Sequence, residues 1–367
     1  MSKYRVFYLD DEKDDLIQPI KKKLELNSLI EVEIYKPISF EDELEKLAKE
    51  LNDYDVLILD LQLNGVQEET GKSVRYQAPP LAQMLRTLAT EGKTKDLPII
   101  LCSTEDRVKT SFNRDFTSHD LFDWTFLKSD LNDETGHKII SIIEGYKSIE
   151  KSKGNFTSIL KKDYDSLDDR ILSRFLAEEN PPIHEVARVI FKDIVQQTGI
   201  LINEHTLAAR LGIDKETCQK EWEQLIKKYF SEAEYKGVFH DSWRRWWNNS
   251  VIDKFEELTN ENLASLESVK RVALLNDKTE FKNLIPASPL EFYESTNFWN
   301  ICEITKKPLD PFEGLKISGK EEPKPWLDYS YISLFGIVTE PLLVKKRGIK
   351  VHSSDMERFN FERAKID

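Results

Sequence analysis

Residues 55–60 read DVLILD: four consecutive apolar residues, Val56 to Leu59, run directly into an aspartate. A short uninterrupted apolar run reads as a strand buried on both faces, the pattern of a parallel sheet held between helix layers. An unpartnered carboxylate is costly to bury, so Asp60 is expected at the strand's exit. In open α/β sheets, ligands gather outside the carboxyl ends of the strands. What else ends beside Asp60 therefore decides the chemistry.

Strand and helix signals alternate through the first 150 residues. YRVFYLD (4–10) reads as a strand and KDDLIQPIKKKLEL (13–26) as an amphipathic helix interrupted by Pro19. IEVEIYK (30–36) alternates apolar and polar residues as an edge strand does. Ser39 followed by first-turn acids opens a helix through Leu51. After DVLILD come a helix near Leu81–Thr90, a strand at LPIILCS (97–103), a fifth at LFDWTFLK (121–128) and a final helix at 133–149. This alternation predicts an α/β fold, a doubly wound five-stranded parallel sheet.

The strand exits then hold Asp10 and Asp11, Asp60, Ser103 and Lys128. Three converging carboxylates cannot all stay ionised without a cation, and a cluster of hard oxygen ligands suits Mg²⁺. A lysine and a hydroxyl beside them suit an incoming phosphoryl group.

These residues, in this order and on these elements, resemble the receiver domain of two-component response regulators, over about residues 3–150. The resemblance implies a flavodoxin-like fold with Asp60 as phospho-acceptor. It also implies Mg²⁺ held by Asp10, Asp11, Asp60 and the backbone carbonyl of Gln62, with Ser103 and Lys128 on the phosphoryl oxygens. The phosphodonor it implies is a histidine kinase. Three features depart from the family pattern. NGVQEETGKSVRYQAPP (64–80) inserts about a dozen residues beside the site, suited to a lid or a docking element. Ser129 follows Lys128 where the family places proline, and Thr125, between Trp124 and Phe126, occupies the aromatic switch position. Within the insertion, GVQEETGKS (65–73) imitates a phosphate-binding G-x-x-x-x-G-K-[ST] loop. It is one residue too long, and the YQAPP that follows opposes the long helix such a loop needs.

Charge is unevenly distributed. The net charge of −13 is concentrated in residues 1–150, where 30 acidic residues face 20 basic ones; residues 151–367 carry 36 against 33. The first part should repel nucleic acid, and DNA binding would need a basic face in the second. Cys102, Cys218 and Cys302 have no C-x-x-C spacing, which argues against a disulfide framework or a zinc cluster. With neither a long apolar run nor a signal-like start, a cytoplasmic protein without membrane contact is expected.

After a polar linker at 152–158, helical periodicity dominates to about Leu275, and the remainder, to Asp367, reads as a small mixed or β-rich region. Three domains are expected: 1–150, 151–275 and 276–367. TLAARLGIDKETCQKEWEQLIKKYF (206–230) resembles a helix-turn-helix, with Gly212 at the turn and Asp214 capping a second helix. Its candidate DNA-binding residues are Lys215, Lys220 and Lys227, but Glu216, Glu221 and Glu223 make its front acidic. A structural or partner-binding role is preferred. In residues 235–255, Trp243, Trp246 and Trp247 are expected on one helical face, as core packing or as a protein-interface anchor. His184, His205, His240 and His352 form no metal or hydrolase motif, so no enzyme is indicated beyond receiver self-phosphorylation and dephosphorylation.

The function expected is a phosphorylation-controlled signalling protein whose C-terminal part acts through protein contacts. The alternatives are a DNA-binding transcriptional regulator and a receiver adaptor or phosphate sink in a larger assembly such as a defence system. The protein partner is unidentified, and homodimerisation is left open.

Overall fold

A computed structural model of the chain describes residues 3–25, 28–66, 73–163, 167, 171, 181–319 and 322–365. The chain divides into two compact units. The first comprises Met1–Asp193 with Gly237–Trp243, and the second Ile194–Lys236 with Arg244–Asp367.

The first unit begins with β1 (Tyr4–Leu9), α1 (Asp14–Glu25), β2 (Ile30–Tyr35), α2 (Phe40–Glu50) and β3 (Val56–Leu59). There follow β4 (Gln62–Val66), β5 (Ser73–Gln77), α3 (Ala78–Thr90), β6 (Ile99–Ser103), α4 (Glu105–Thr110), β7 (Trp124–Leu127) and α5 (Asp133–Ser152). β1, β2, β3, β6 and β7 form one all-parallel sheet in the order β2-β1-β3-β6-β7. This is the doubly wound topology the alternation predicts, with the flavodoxin-like strand order. Val56 to Leu59 are fully buried, as a strand covered on both faces requires.

Several local expectations change. α1 runs unbroken through Pro19 rather than stopping at it. Pro79 and Pro80 do not oppose α3 but start it: proline is tolerated in a first turn, where the backbone N–H has no helical partner. The 64–80 insertion is an antiparallel hairpin, β4 against β5, in register from Gln62↔Gln77 to Val66↔Ser73. Ser73–Gln77 is therefore a strand where a phosphate-binding loop needs a helix. The hairpin is no loose lid. Leu63 and Val74 are buried, the Tyr76 ring meets Phe40 edge-on at 5.4 Å, and the Tyr76 hydroxyl donates to Glu43 at 3.5 Å.

Ser39 caps α2 as expected, and α5 opens with a reciprocal capping box between Asn132 and Thr135. Beyond α5 the unit adds α6 (Phe156–Leu160) and α7 (Ile183–Ile190). Phe239, at φ 70°, sets its ring against Gly145 of α5, where a Cβ would come within 2.2 Å of the ring.

The second unit is helical with three short antiparallel ribbons among the described residues, in keeping with the expected mixture. β8 (Leu201–Ile202), α8 (Glu204–Leu211) and α9 (Gln219–Tyr229) precede β9 (Trp246–Trp247), α10 (Asn248–Thr259) and α11 (Ser268–Lys278). Then come β10 (Asn300–Ile301), β11 (Pro308–Leu309), β12 (Leu315–Lys316), β13 (Tyr331–Ile332), α12 (Leu334–Thr339), α13 (Pro341–Lys346) and α14 (Met356–Arg363). The main core joins Leu207, Leu211, Trp222, Leu225, Trp246, Phe255 and Leu275.

The helix-turn-helix-like segment forms a helix pair, α8 and α9, with Gly212 left-handed at φ 75° between them. Asp214 does not cap α9. Its carboxylate accepts from the backbone of Glu216 and Thr217 in an intervening turn, and α9 starts five residues later. The helical face expected for the tryptophans does not form. Trp246 and Trp247 lie in β9, extended and paired with Ile202 and Leu201, and both are buried. Trp243 belongs to the first unit, edge-on to Phe191 at 4.5 Å and to Trp124 at 6.2 Å. The three share no helical face, and burial removes Trp246 and Trp247 as surface anchors for a partner.

Candidate functional site

Because the five strands are parallel, their carboxyl ends share one edge of the sheet. Asp10 follows β1, Asp60 follows β3, Ser103 ends β6, and Lys128 follows β7. Asp10, Asp60 and Ser103 are fully buried and Asp11 half-buried. One carboxylate oxygen each from Asp10, Asp11 and Asp60 lies within 4.8 Å of the others.

Lys128 Nζ stands 2.7 Å from Asp10 Oδ2, 3.1 Å from Asp60 Oδ1 and 3.2 Å from Glu12 Oε2. Its contacts are governed by charge more than by alignment, since neither Lys128 Nζ nor Asp60 Oδ1 completes a well-angled hydrogen bond. Burial opposes the charge on Lys128, but Asp60 and Asp10 outweigh it and its pKa is raised. Burial also pushes the Asp60 carboxyl up, with Lys128 opposing. Asp11 is raised first by burial and then by Asp60, opposed by the Arg107 charge and, least, by the backbone N–H of Asn64. The β4–β5 hairpin thus reaches the site through Asn64.

The donor set fits a hard divalent cation. Three carboxylates converge, and Asp11 Oδ1 is buried with no hydrogen-bond partner. Ser103 Oγ is likewise buried without a partner, a hydroxyl free to donate to an anion. Gln62 contributes its backbone N–H to Asp60 Oδ2 at 3.0 Å.

The five-stranded all-parallel sheet with its flanking helices fits the receiver fold. No family model matches the chain, and neither does any curated protein. Among solved structures, the chain is similar to a response regulator receiver domain from Clostridium thermocellum, at 17% identity over 39% of this chain and 97% of that one, with a TM-score of 0.29. It is also similar to the NarL signal receiver domain from Mycobacterium tuberculosis, at 16% identity over 40% and 99%, TM-score 0.29. A third is the response regulator RcsB of Salmonella typhimurium, at 14% identity over 51% and 98%, TM-score 0.23.

Three further residues of this cluster carry no strand-exit signal in the sequence. Arg107 of α4 donates from Nη1 to Asp60 Oδ2 at 2.8 Å. A cation four residues past the Ser103 strand exit, in the first turn of the next helix, was the available signal. Tyr8 donates to Asp10 Oδ2 at 2.8 Å, as residues two apart on one face of a strand can. Glu12 holds Asp10 Oδ1 through its backbone N–H at 2.9 Å and places its carboxylate near Lys128.

Two lysines of the helix-pair segment are paired with acids. Lys215 turns back to Glu204 at 3.7 Å, and Lys228 pairs with Glu280 at 2.5 Å. Lys220 lies at the start of α9 beside Glu221, and Lys227 in its last turn. No helix among the described residues is long and apolar enough to cross a membrane.

Proposed function

We propose that Asp60 is a phospho-acceptor and that the chain is a response-regulator-type signalling protein fed by a histidine kinase. The reading is carried by the buried Asp10–Asp11–Asp60 cluster facing Lys128 and the unpartnered Ser103 hydroxyl. Asp10, Asp11, Asp60 and the Gln62 carbonyl would hold Mg²⁺, which supplies positive charge to the phosphoryl oxygens.

An Asp60 carboxylate oxygen attacks phosphorus in line. The bond from phosphorus to the donor's imidazole nitrogen breaks, and the imidazole takes up a proton on leaving. Lys128 and Ser103 receive the transferred oxygens, and Tyr8 and the Glu12 N–H keep Asp10 oriented. Residues 1–150 serve as the receiver, and residues 151–275 and 276–367 deliver the output. Protein contact is the preferred output, supported by the pairing of Lys215 and Lys228 with acids on the helix pair that would otherwise face DNA.

Acetyl phosphate tests the acceptor. In Mg²⁺ the intact mass should rise by one phosphoryl group. The gain should disappear in EDTA and in Asp60→Asn. Labelling that persists in Asp60→Asn would reject the assignment.

A further inference from the structure

Asp60 Oδ2 accepts from Gln62 N at 3.0 Å and from Arg107 Nη1 at 2.8 Å, which uses the two lone-pair directions of that oxygen. The other oxygen, Oδ1, faces the Lys128 ammonium at 3.1 Å. A divalent cation that ligates Asp60 through Oδ2 must displace one of its two donors, and one that ligates through Oδ1, which holds no hydrogen bond, still meets the Lys128 and Arg107 charges on the same carboxylate. Gln62 N belongs to the backbone of the hairpin, and Lys128 is almost wholly buried among three acids. Arg107 is the exception: its side chain is 28% exposed, and a long flexible stem lets its guanidinium swing into water.

We infer that Arg107 is a built-in counter-cation on the acceptor, a positioning residue that competes with the divalent metal for Asp60 and sets the metal concentration at which the site fills. This rests on the acceptor-site reading above. With Arg107 in place, Asp60 is neutralised while Asp11 Oδ1 stays buried and unpartnered. Metal entry completes Asp11 and releases Arg107 from Oδ2. The released guanidinium, with five N–H donors in a planar fork, is then free to meet phosphoryl oxygens on the same residue.

MgCl₂ titrated into the full-length protein at constant ionic strength, followed calorimetrically, tests the inference. In Arg107→Gln the half-saturating Mg²⁺ concentration should fall about tenfold, the order expected for removing a unit charge at a partly exposed site. Arg107→Lys, which restores the charge, should lie closer to wild type. Arg107→Met, which keeps the stem's packing, repeats the measurement should the glutamine variant not fold. Asp11→Asn should lose the response, which locates the ion. An Asp11-dependent response with half-saturation unchanged or raised in Arg107→Gln and Arg107→Met overturns the inference alone. No Asp11-dependent response in any form of the protein overturns it together with the acceptor-site reading.

Discussion

Lys128 Nζ lies nearer to Asp10 than to Asp60, 2.7 Å against 3.1 Å, so one ammonium balances both the acid that follows the first strand and the acceptor. Lys128→Met should leave two fully buried carboxylates without that charge. The expected loss is about 3–5 kcal/mol in EDTA, the cost of breaking a buried ion pair from one side. Mg²⁺ should return part of it. Urea midpoints with and without the ion check this, and a midpoint equal to wild type in EDTA would contradict it.

At the opposite end of the sheet, Asp123 gathers the donors of three elements. It accepts from Arg86 Nη2 at 2.7 Å, from the Ile99 backbone at 2.8 Å and from the Tyr146 hydroxyl at 2.6 Å. Asp123→Ala leaves the buried Arg86 guanidinium with only the longer contact to Asp96 at 3.4 Å and the Leu97 and Leu121 carbonyls, and a destabilisation of about 3 kcal/mol is expected. Because the cluster sits away from the strand exits, the variant's half-saturating Mg²⁺ concentration should match wild type. Calorimetric titration of the folded variant measures that independence.

Glu33 gives a pH signature. Arg5 and then Tyr54 hold its carboxyl at about 2, below the usual 4.5. A folded-state pKa below the unfolded one means stability fully present above about pH 4.5 and lost as pH falls towards 2. The pair is over a third exposed, so its contribution should not exceed about 1 kcal/mol. Wild type should exceed Glu33→Gln in stability near neutrality, and the two should converge only as pH falls towards about 2. A difference that widens on acidification would contradict the sign.

Trp246 is the anchor of a core. Trp246→Ala should cost about 3–5 kcal/mol of stability, as large aromatic truncations in cores do. Trp246→Phe should cost less, because the buried indole N–H has no acceptor to lose. Thermal denaturation of the two variants against wild type gives the ranking.

Asp10, Asp60, Ser103 and Lys128 could be read from the chain because a parallel sheet brings every strand's carboxyl end to one edge. Order along the sequence then becomes proximity in space. Arg107 and Tyr8 carried no such guarantee: each meets the site through the angle at which a helix or a strand face presents it. The tryptophans misled because spacings of three and four residues imitate a helix. What holds Trp246 and Trp247 extended is pairing with Ile202 and Leu201, more than forty residues earlier, a long-range partner that local periodicity cannot reveal. The length of the 64–80 insertion was evident, but its conformation was not, since GVQEETGKSV lacks the alternation that marks a strand pair.

That hairpin closes on itself at its base. Gln62 faces Gln77 across the first rung, and the Ala78 N–H that opens α3 bonds the Leu61 carbonyl at 3.0 Å. Along the backbone the acceptor strand and α3 are therefore separated by a long detour, yet in space they are joined as though the detour were absent. Exchanging or shortening residues between Asn64 and Val74 should therefore leave in place the Gln62 rung that bonds Asp60. The insertion is a graft site placed next to the chemistry.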